Sequence, residues 1–345
     1  MEGVKNNQLG WHEVCSECNY VKHEMSSHIW TDGCPGCASP CFVPYYKPAN
    51  KWGPVAGEMR HDNAGCFSAN ILVGFEEEAY ISPLTNELGM DAEESGGIVA
   101  WTMELYDRGI ISKKDLGGID LKWGSVEATC ELLKKIAYRK DFGSILANGY
   151  RYAIPKLGRE AGNMAFQVNS CGCATYDLRG LPEWGALSYA SSHTGARMGT
   201  GFDSQITESA TICIFTTNRV AQAVWGSHEE GARQYLNAVC GWNLTIEDIR
   251  KIAQRDFMFE RCYSLREGYL PSRDNKLPER AFNLPITDKY GKTYVLDHEW
   301  FDKALKKYYV ETLKLNEEGL PTRELLTELG LYFTIPVLEP MNAVG

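Results

Sequence analysis

LGMDAEESGGIVAWTMELYDRGIISKKDLGGIDLKWG, residues 88–124, decides the fold class. Within it, SGGIVAWTMELYDRG reads as a helix, with Ile98, Trp101, Met103 and Leu105 as its apolar positions and Gly109 as its stop. Asp91 stands where an N-cap belongs, just ahead of Ala92; its short carboxylate can accept an N–H that the first helical turn leaves open. The segment ISKKDLGGIDLKWG then reads as a loop. Upstream, FEEEAYISPLTNELGM reads as a helix in spite of Pro83, ending at Gly89. Downstream, SVEATCELLKKIAYRK is a strongly amphipathic helix with Ser125 as N-cap, and FGSILANGYRYAIPKLG reads as another helix. From Ser227 onward helices dominate, notably EEGARQYLNAVCGW, TIEDIRKIAQRDFMFERCYSLRE and HEWFDKALKKYYVETLKL. The expected class is mainly α, with motif-bearing loops between helices.

The 345 residues suffice for a large core. A net charge of -10, with no run of Lys and Arg, argues against nucleic acid as a partner. No apolar run is long enough to span a bilayer, and the polar start MEGVKNNQLGWHE lacks the apolar stretch of a signal peptide. A cytoplasmic location is therefore expected. With 12 cysteines in such a chain, reduced thiols acting as metal ligands fit better than disulfides.

Two readings of the cysteines compete. Cys34, Cys37 and Cys41 form C-x2-C-x3-C, three thiolates spaced by Pro and Gly that can bend around one centre; a fourth from elsewhere would complete a [4Fe–4S] cluster. Cys15-x2-Cys18 followed by Cys34-x2-Cys37 instead has the spacing of a zinc ribbon. Spacing alone leaves both open.

Five blocks in order carry a resemblance: the quoted stretch from Leu88, then FGSILANGYRYA, YDLRG, ALSYASSHTGA and GLPTRELLTELGL. From about Cys34 to Leu331 they resemble the aldehyde ferredoxin oxidoreductase family, whose members carry tungsten on two pterin cofactors. The resemblance implies a [4Fe–4S] cluster on Cys34, Cys37, Cys41 and Cys213. It also implies two pterin-binding loops, Leu88–Asp91 with Asp91 as hydrogen-bond acceptor and Glu208–Cys213 with Glu208 in that role. The family has Asp where this chain has Glu208, and Gly where it has Thr211. Three segments are expected: 1–50 binding the cluster, 51–225 binding pterin and metal, and 226–345 as a helical C-terminal domain. The family's N-terminal domain, which covers the pterins, has no counterpart here, so the expected fold is that of the family's helical C-terminal domains.

The chain departs from the family's aldehyde-oxidising members where their A-T-S-x-R-G-A-x-H pattern ends in a histidine near tungsten; Met198 stands there, without a titratable nitrogen. Around Gly57–Cys66 the family places a carboxylate near the metal. Glu58 and His61 are the candidates for acid chemistry and Cys66 for a tungsten ligand, with Cys171 and Cys173 as competing ligands. In these features the chain looks like the ATP-independent benzoyl-CoA reductase branch. The resemblance implies a tungsten (or molybdenum) bis-pterin enzyme that reduces the ring of an aromatic acyl-CoA, served by a ferredoxin-like electron-transfer subunit. Aldehyde oxidation is the alternative, and a zinc-ribbon scaffold or inactive fragment is the non-redox one.

Overall fold

The structure is a computed structural model that describes residues 4–10, 12, 34–35, 44–47, 51–58, 65–173, 177–193, 195–196, 202–213, 224 and 226–345. The chain divides into two compact units. The first comprises Met1–Asp32, Cys41–Gly185 and Pro278–Leu296; the second comprises Gly33–Pro40, Ala186–Leu277 and Asp297–Gly345. Among the described residues, sheet structure is confined to three two-stranded antiparallel ladders, and the other regular elements are helices.

In the first unit, β1 (Pro44–Lys47) pairs with β2 (Val55–Glu58), and α1 (Phe75–Glu87) packs on β2 through Val55, Phe75 and Ala79. Glu76, Glu77 and Glu78 in the first turn of α1 complement its dipole, and Pro83 is accommodated inside it. Helix α2 (Ala92–Asp107) is the centre of this unit: every residue from Ser95 to Leu105 is buried. A helix covered on all sides needs no polar stripe, which is why its apolar positions ignore helical spacing. Trp101 and Met103 lie in its core, with Leu132 and Leu133 of α3 (Val126–Ala137), the helix that Ser125 caps. The stretch read as one further helix is two: α4 (Gly143–Leu146) and α5 (Tyr150–Leu157), separated where Gly149 takes φ +72°, a conformation an α-helix cannot continue through. Gly143 sits so close to Lys135 that an added Cβ would meet its carbonyl carbon and oxygen at 2.3 Å. After α6 (Arg159–Met164), β3 (Gln167–Val168) and β4 (Cys171–Gly172) close a hairpin.

Sequence-distant pieces of this unit are joined by buried charge. Glu104, fully buried on α2, accepts from Asn6 (2.7 Å), Arg280 (2.7 Å) and Arg108 (2.9 Å). Arg179 pairs with Asp177 and donates to the carbonyls of Asn7 (2.7 Å) and Leu284 (2.6 Å).

In the second unit, α7 (Leu187–Ser191) precedes α8 (Phe202–Ser209), which packs with α9 (His228–Cys240) and α10 (Ile246–Arg266) around Ile206, Ala210, Ala232, Ile249 and Ala253. Thr245 and Asp248 form a reciprocal capping box at the start of α10. Helices α11 (His298–Lys307) and α12 (Arg323–Glu328) follow.

Candidate cofactor site

The first loop begins where α1 ends. Gly89 takes φ +67°, its N–H donates to Asn86 O (3.1 Å), and Met90 N–H donates to Thr85 O (2.8 Å). This left-handed closure satisfies the last carbonyls of α1 and turns the chain sharply. Two residues on, Asp91 is extended, and its Oδ1 accepts the Glu94 N–H at 2.8 Å, capping α2. Beside it lies a cavity of about 180 Å³ lined by Asp91, Glu94 and Ser95 and walled by Met90, Ile98, Ile136 and Leu146, among others. A space near 150 Å³ already accepts a benzene ring. A flat heterocycle with N–H donors needs apolar walls and carboxylate acceptors, and this donor set supplies both; a pterin ring fits the chemistry of this corner.

Glu94 reaches past the cavity, its Oε2 accepting the Gly172 N–H at 2.8 Å and fixing β4 to the start of α2. Behind it Tyr150 is buried; its hydroxyl has no hydrogen-bond partner among the described residues, and burial first, then the Glu94 charge, pushes it well above the ordinary phenol range. The Cys173 thiol is likewise pushed well up, by burial first and then by Cys171. Cys171 is half-buried. Cys66 is fully buried in the hydrophobic core. Its carbonyl presses on α2: a Cβ at Gly96 would lie 2.2 Å from Cys66 O, and the Asn70 amide donates to both Cys66 O (3.3 Å) and Gly96 O (3.4 Å).

The second loop repeats the closure of the first. At the end of α8, Thr211 N–H donates to Glu208 O (2.9 Å) and Ile212 N–H to Thr207 O (2.9 Å), with Thr211 at φ +56°. Thr211 thus holds a backbone conformation that glycine ordinarily serves. Glu208, Thr211 and Cys213 are all exposed. Cys34 is exposed too and belongs to the same unit as Cys213. Cys37 and Cys41 lie outside the described residues, as do Cys15, Cys18, His61 and Met198. Glu58 ends β2, its backbone opposite Pro44; its side chain lies outside what is described.

Sequence reasoning missed Glu94, Tyr150 and the His193–Glu260 contact (Nε2 to Oε2, 3.2 Å). Glu94 carried a signal, since Asp91-x-x-Glu94 has capping-box spacing; Tyr150 and the His193 contact depend on distant segments meeting. In SLREGYLPSRDNKLPER, residues 264–280, Arg280 is consumed by Glu104, while Arg266 pairs with Glu267 and stacks on Tyr263 at the surface.

No helix among the described residues is long and apolar enough to cross a membrane. Residues 2–205 and 202–331 match the family model "Aldehyde ferredoxin oxidoreductase, domains 2 & 3". The chain is 29% identical over 360 residues to an aliphatic sulfonate oxidoreductase, WOR-like subunit, of Pyrococcus furiosus, covering 96% of this chain and 55% of the relative. It is 30% identical over 366 residues to a tungsten-containing aldehyde ferredoxin oxidoreductase of Pyrococcus abyssi, covering 95% and 57%. The chain thus spans little more than half the length of these relatives. In fold it resembles a solved active-site complex BamBC of benzoyl coenzyme A reductase with 1,5-dienoyl-CoA, at a TM-score of 0.69 and 15% identity over 100% of this chain and 59% of that one. Matching the family model over most of its length, and helical as those domains are, the chain belongs to the aldehyde ferredoxin oxidoreductase family.

Proposed function

We propose that this chain is the cofactor-binding part of a tungsten bis-pterin, iron–sulfur oxidoreductase that reduces an aromatic acyl-CoA ring to a cyclic diene. The substrate reading rests on Met198, at the place where the resemblance implies a histidine in aldehyde-oxidising members of the family. The fold likeness to a benzoyl coenzyme A reductase complex supports it. Asp91, with Glu94 beside it, would hold one pterin at the cavity under α2, and Glu208 would accept from the second. Cys34, Cys37, Cys41 and Cys213 would hold the [4Fe–4S] cluster, and Cys66 is the proposed tungsten ligand. When bound, the tungsten centre supplies electrons at low potential. Glu58 and His61 would deliver protons, and the apolar walls around Ile98 and Ile136 would keep water from the ring system. A ferredoxin-like subunit would bring electrons.

The test is turnover by the isolated protein with dienoyl-CoA formation as the readout, alongside tungsten, iron and sulfide analysis. Aldehyde-dependent dye reduction without acyl-CoA turnover would replace this reading with aldehyde oxidation, which the names of the curated relatives favour. Zinc without iron, sulfide or tungsten would remove both.

A further inference from the structure

The chain carries a surplus of acid, with a net charge of -10, yet between Lys134 and Arg159 seven residues are basic and only Asp141 is acidic. Lys135 takes up Asp141, at 3.1 Å. The other six, Lys134, Arg139, Lys140, Arg151, Lys156 and Arg159, are exposed, and none pairs with a carboxylate among the described residues. Several exposed cations elsewhere are neutralised, Arg250 by Glu229, Arg273 by Asp274 and Lys303 by Glu299. The six run from the last turn of α3 to the start of α6, and these helices pack one on the next. Arg139 follows α3 at φ +53°, a conformation that glycine takes more cheaply; its Nη1 donates to Asn148 Oδ1 (2.8 Å), which draws it towards the start of α5. Two tyrosines stand among the cations, Tyr138 at 65% and Tyr152 at 62% exposure. Behind them, Ile136, Leu146, Ala147 and Gly149 of the same stretch wall the cavity proposed for pterin.

We infer that this surface docks the acidic face of a small electron-carrying protein. Unneutralised cations on an acidic chain steer an oppositely charged partner to one place, and Arg and Tyr are side chains that interfaces favour. The extent argues against a free phosphate or a nucleotide tail: the cations span α5, about 12 Å long, and none of them lines the cavity. A membrane surface would want Trp, Phe or Leu to insert, and the large exposed apolar side chains of this stretch are the two tyrosines. A nucleic acid, anionic throughout, would also meet the acidic remainder of the chain; a small protein with one acidic face meets only the patch. The inference rests on the reading above for the carrier's role. Each turnover oxidises two molecules of a one-electron carrier in ring reduction, or reduces two in aldehyde oxidation; docking itself makes and breaks no bond. A docked carrier stands on the outer side of the wall whose inner side faces the cavity.

The test compares two electron carriers on the isolated holoprotein: a small acidic ferredoxin, which must dock, and a viologen dye, which need not. Lys140→Glu/Arg151→Glu is expected to lose about 10- to 100-fold in kcat/KM for ferredoxin at low ionic strength, the scale of electrostatic steering. Its dye-driven rate, metal content and Tm should hold. Salt should close the gap by slowing the wild type and sparing the variant. Lys289→Glu/Lys292→Glu makes the same change of charge on the hairpin of residues 286–294 and should leave both rates alone. Calorimetric titration of ferredoxin into the protein should show binding that Lys140→Glu/Arg151→Glu abolishes, with or without turnover. Unchanged ferredoxin kinetics in that variant, an equal loss with dye, or an equal loss in Lys289→Glu/Lys292→Glu would each overturn the docking surface. Binding to phosphatidylserine vesicles that the variant loses, with ferredoxin kinetics intact, would overturn it in favour of a membrane. Dye-driven turnover of aldehyde alone would sink the acyl-CoA reading, and turnover of neither substrate the redox reading; in both cases the calorimetry still decides the docking.

Discussion

Helix α1 ends on Gly89 and α8 on Thr211, both at left-handed φ and both closed by the same pair of backbone hydrogen bonds, yet what surrounds them differs. The loop after Gly89 runs into α2, whose core residues are all buried and whose Glu104 is tied to residues 6 and 280. The loop after Thr211 leaves Glu208 and Cys213 exposed. The first is enclosed by the packing behind it; the second leaves a packed helix, with Ala210 and Ile212 on the Ile206–Ala253 cluster, and opens to solvent at Glu208 and Cys213. The first therefore tolerates little change in its scaffold. The second bears a Thr at a backbone conformation that costs an L-residue about 1–2 kcal/mol.

The largest way to break this contrast is Arg280→Met, which leaves buried Glu104 short of its main cation. A loss of about 3–5 kcal/mol in denaturant unfolding is expected, carried by the first unit; a loss below 1 kcal/mol would show that the scaffold does not depend on the staple. Gly96→Ala comes next. Its Cβ would meet backbone, not a flexible side chain, so α2 or the Cys66 turn must move, at a cost of about 1–3 kcal/mol by the same measurement. Thr211→Gly runs the other way, raising stability by about 1 kcal/mol by relieving the left-handed Thr; a neutral result would mean that Thr211 is held there by contacts of its own. The smallest effect on stability belongs to Asp91→Ala, a cap loss of about 1 kcal/mol. It sharpens the comparison in another readout, because pterin content should fall in Asp91→Ala and stay unchanged in Thr211→Gly.

Much of the helical order was legible. Ser125 and Asp91 cap the helices they precede, Gly89 stops α1, and residues 110–124 carry no α-helix. These features are local: a short oxygen-bearing side chain or a glycine acts within four residues, so the sequence displays it. The break at Gly149 was not legible, because glycine in an apolar helical pattern reads equally as an interior residue; the close approach of Gly143 to Lys135 helps to decide where the chain must turn. The candidate site was legible only in part. Asp91 lies at the helix start where its cap was expected, whereas the surroundings of Glu94, Tyr150 and His193 come from residues 78, 56 and 67 positions away: Gly172 for Glu94, Glu94 for Tyr150 and Glu260 for His193.

By itself, the sequence determined the class of this protein. Periodicity, caps and ordered motif blocks made it mainly helical and carried its family, because these depend on neighbours along the chain. Tertiary structure alone decided which charges are consumed in scaffolding and which side chains face a cavity. Arg280 is neutralised by Glu104, and His193 is held between Phe257 and Glu260. Burial and charge pairing are fixed by what the fold brings from afar, and no local pattern records that.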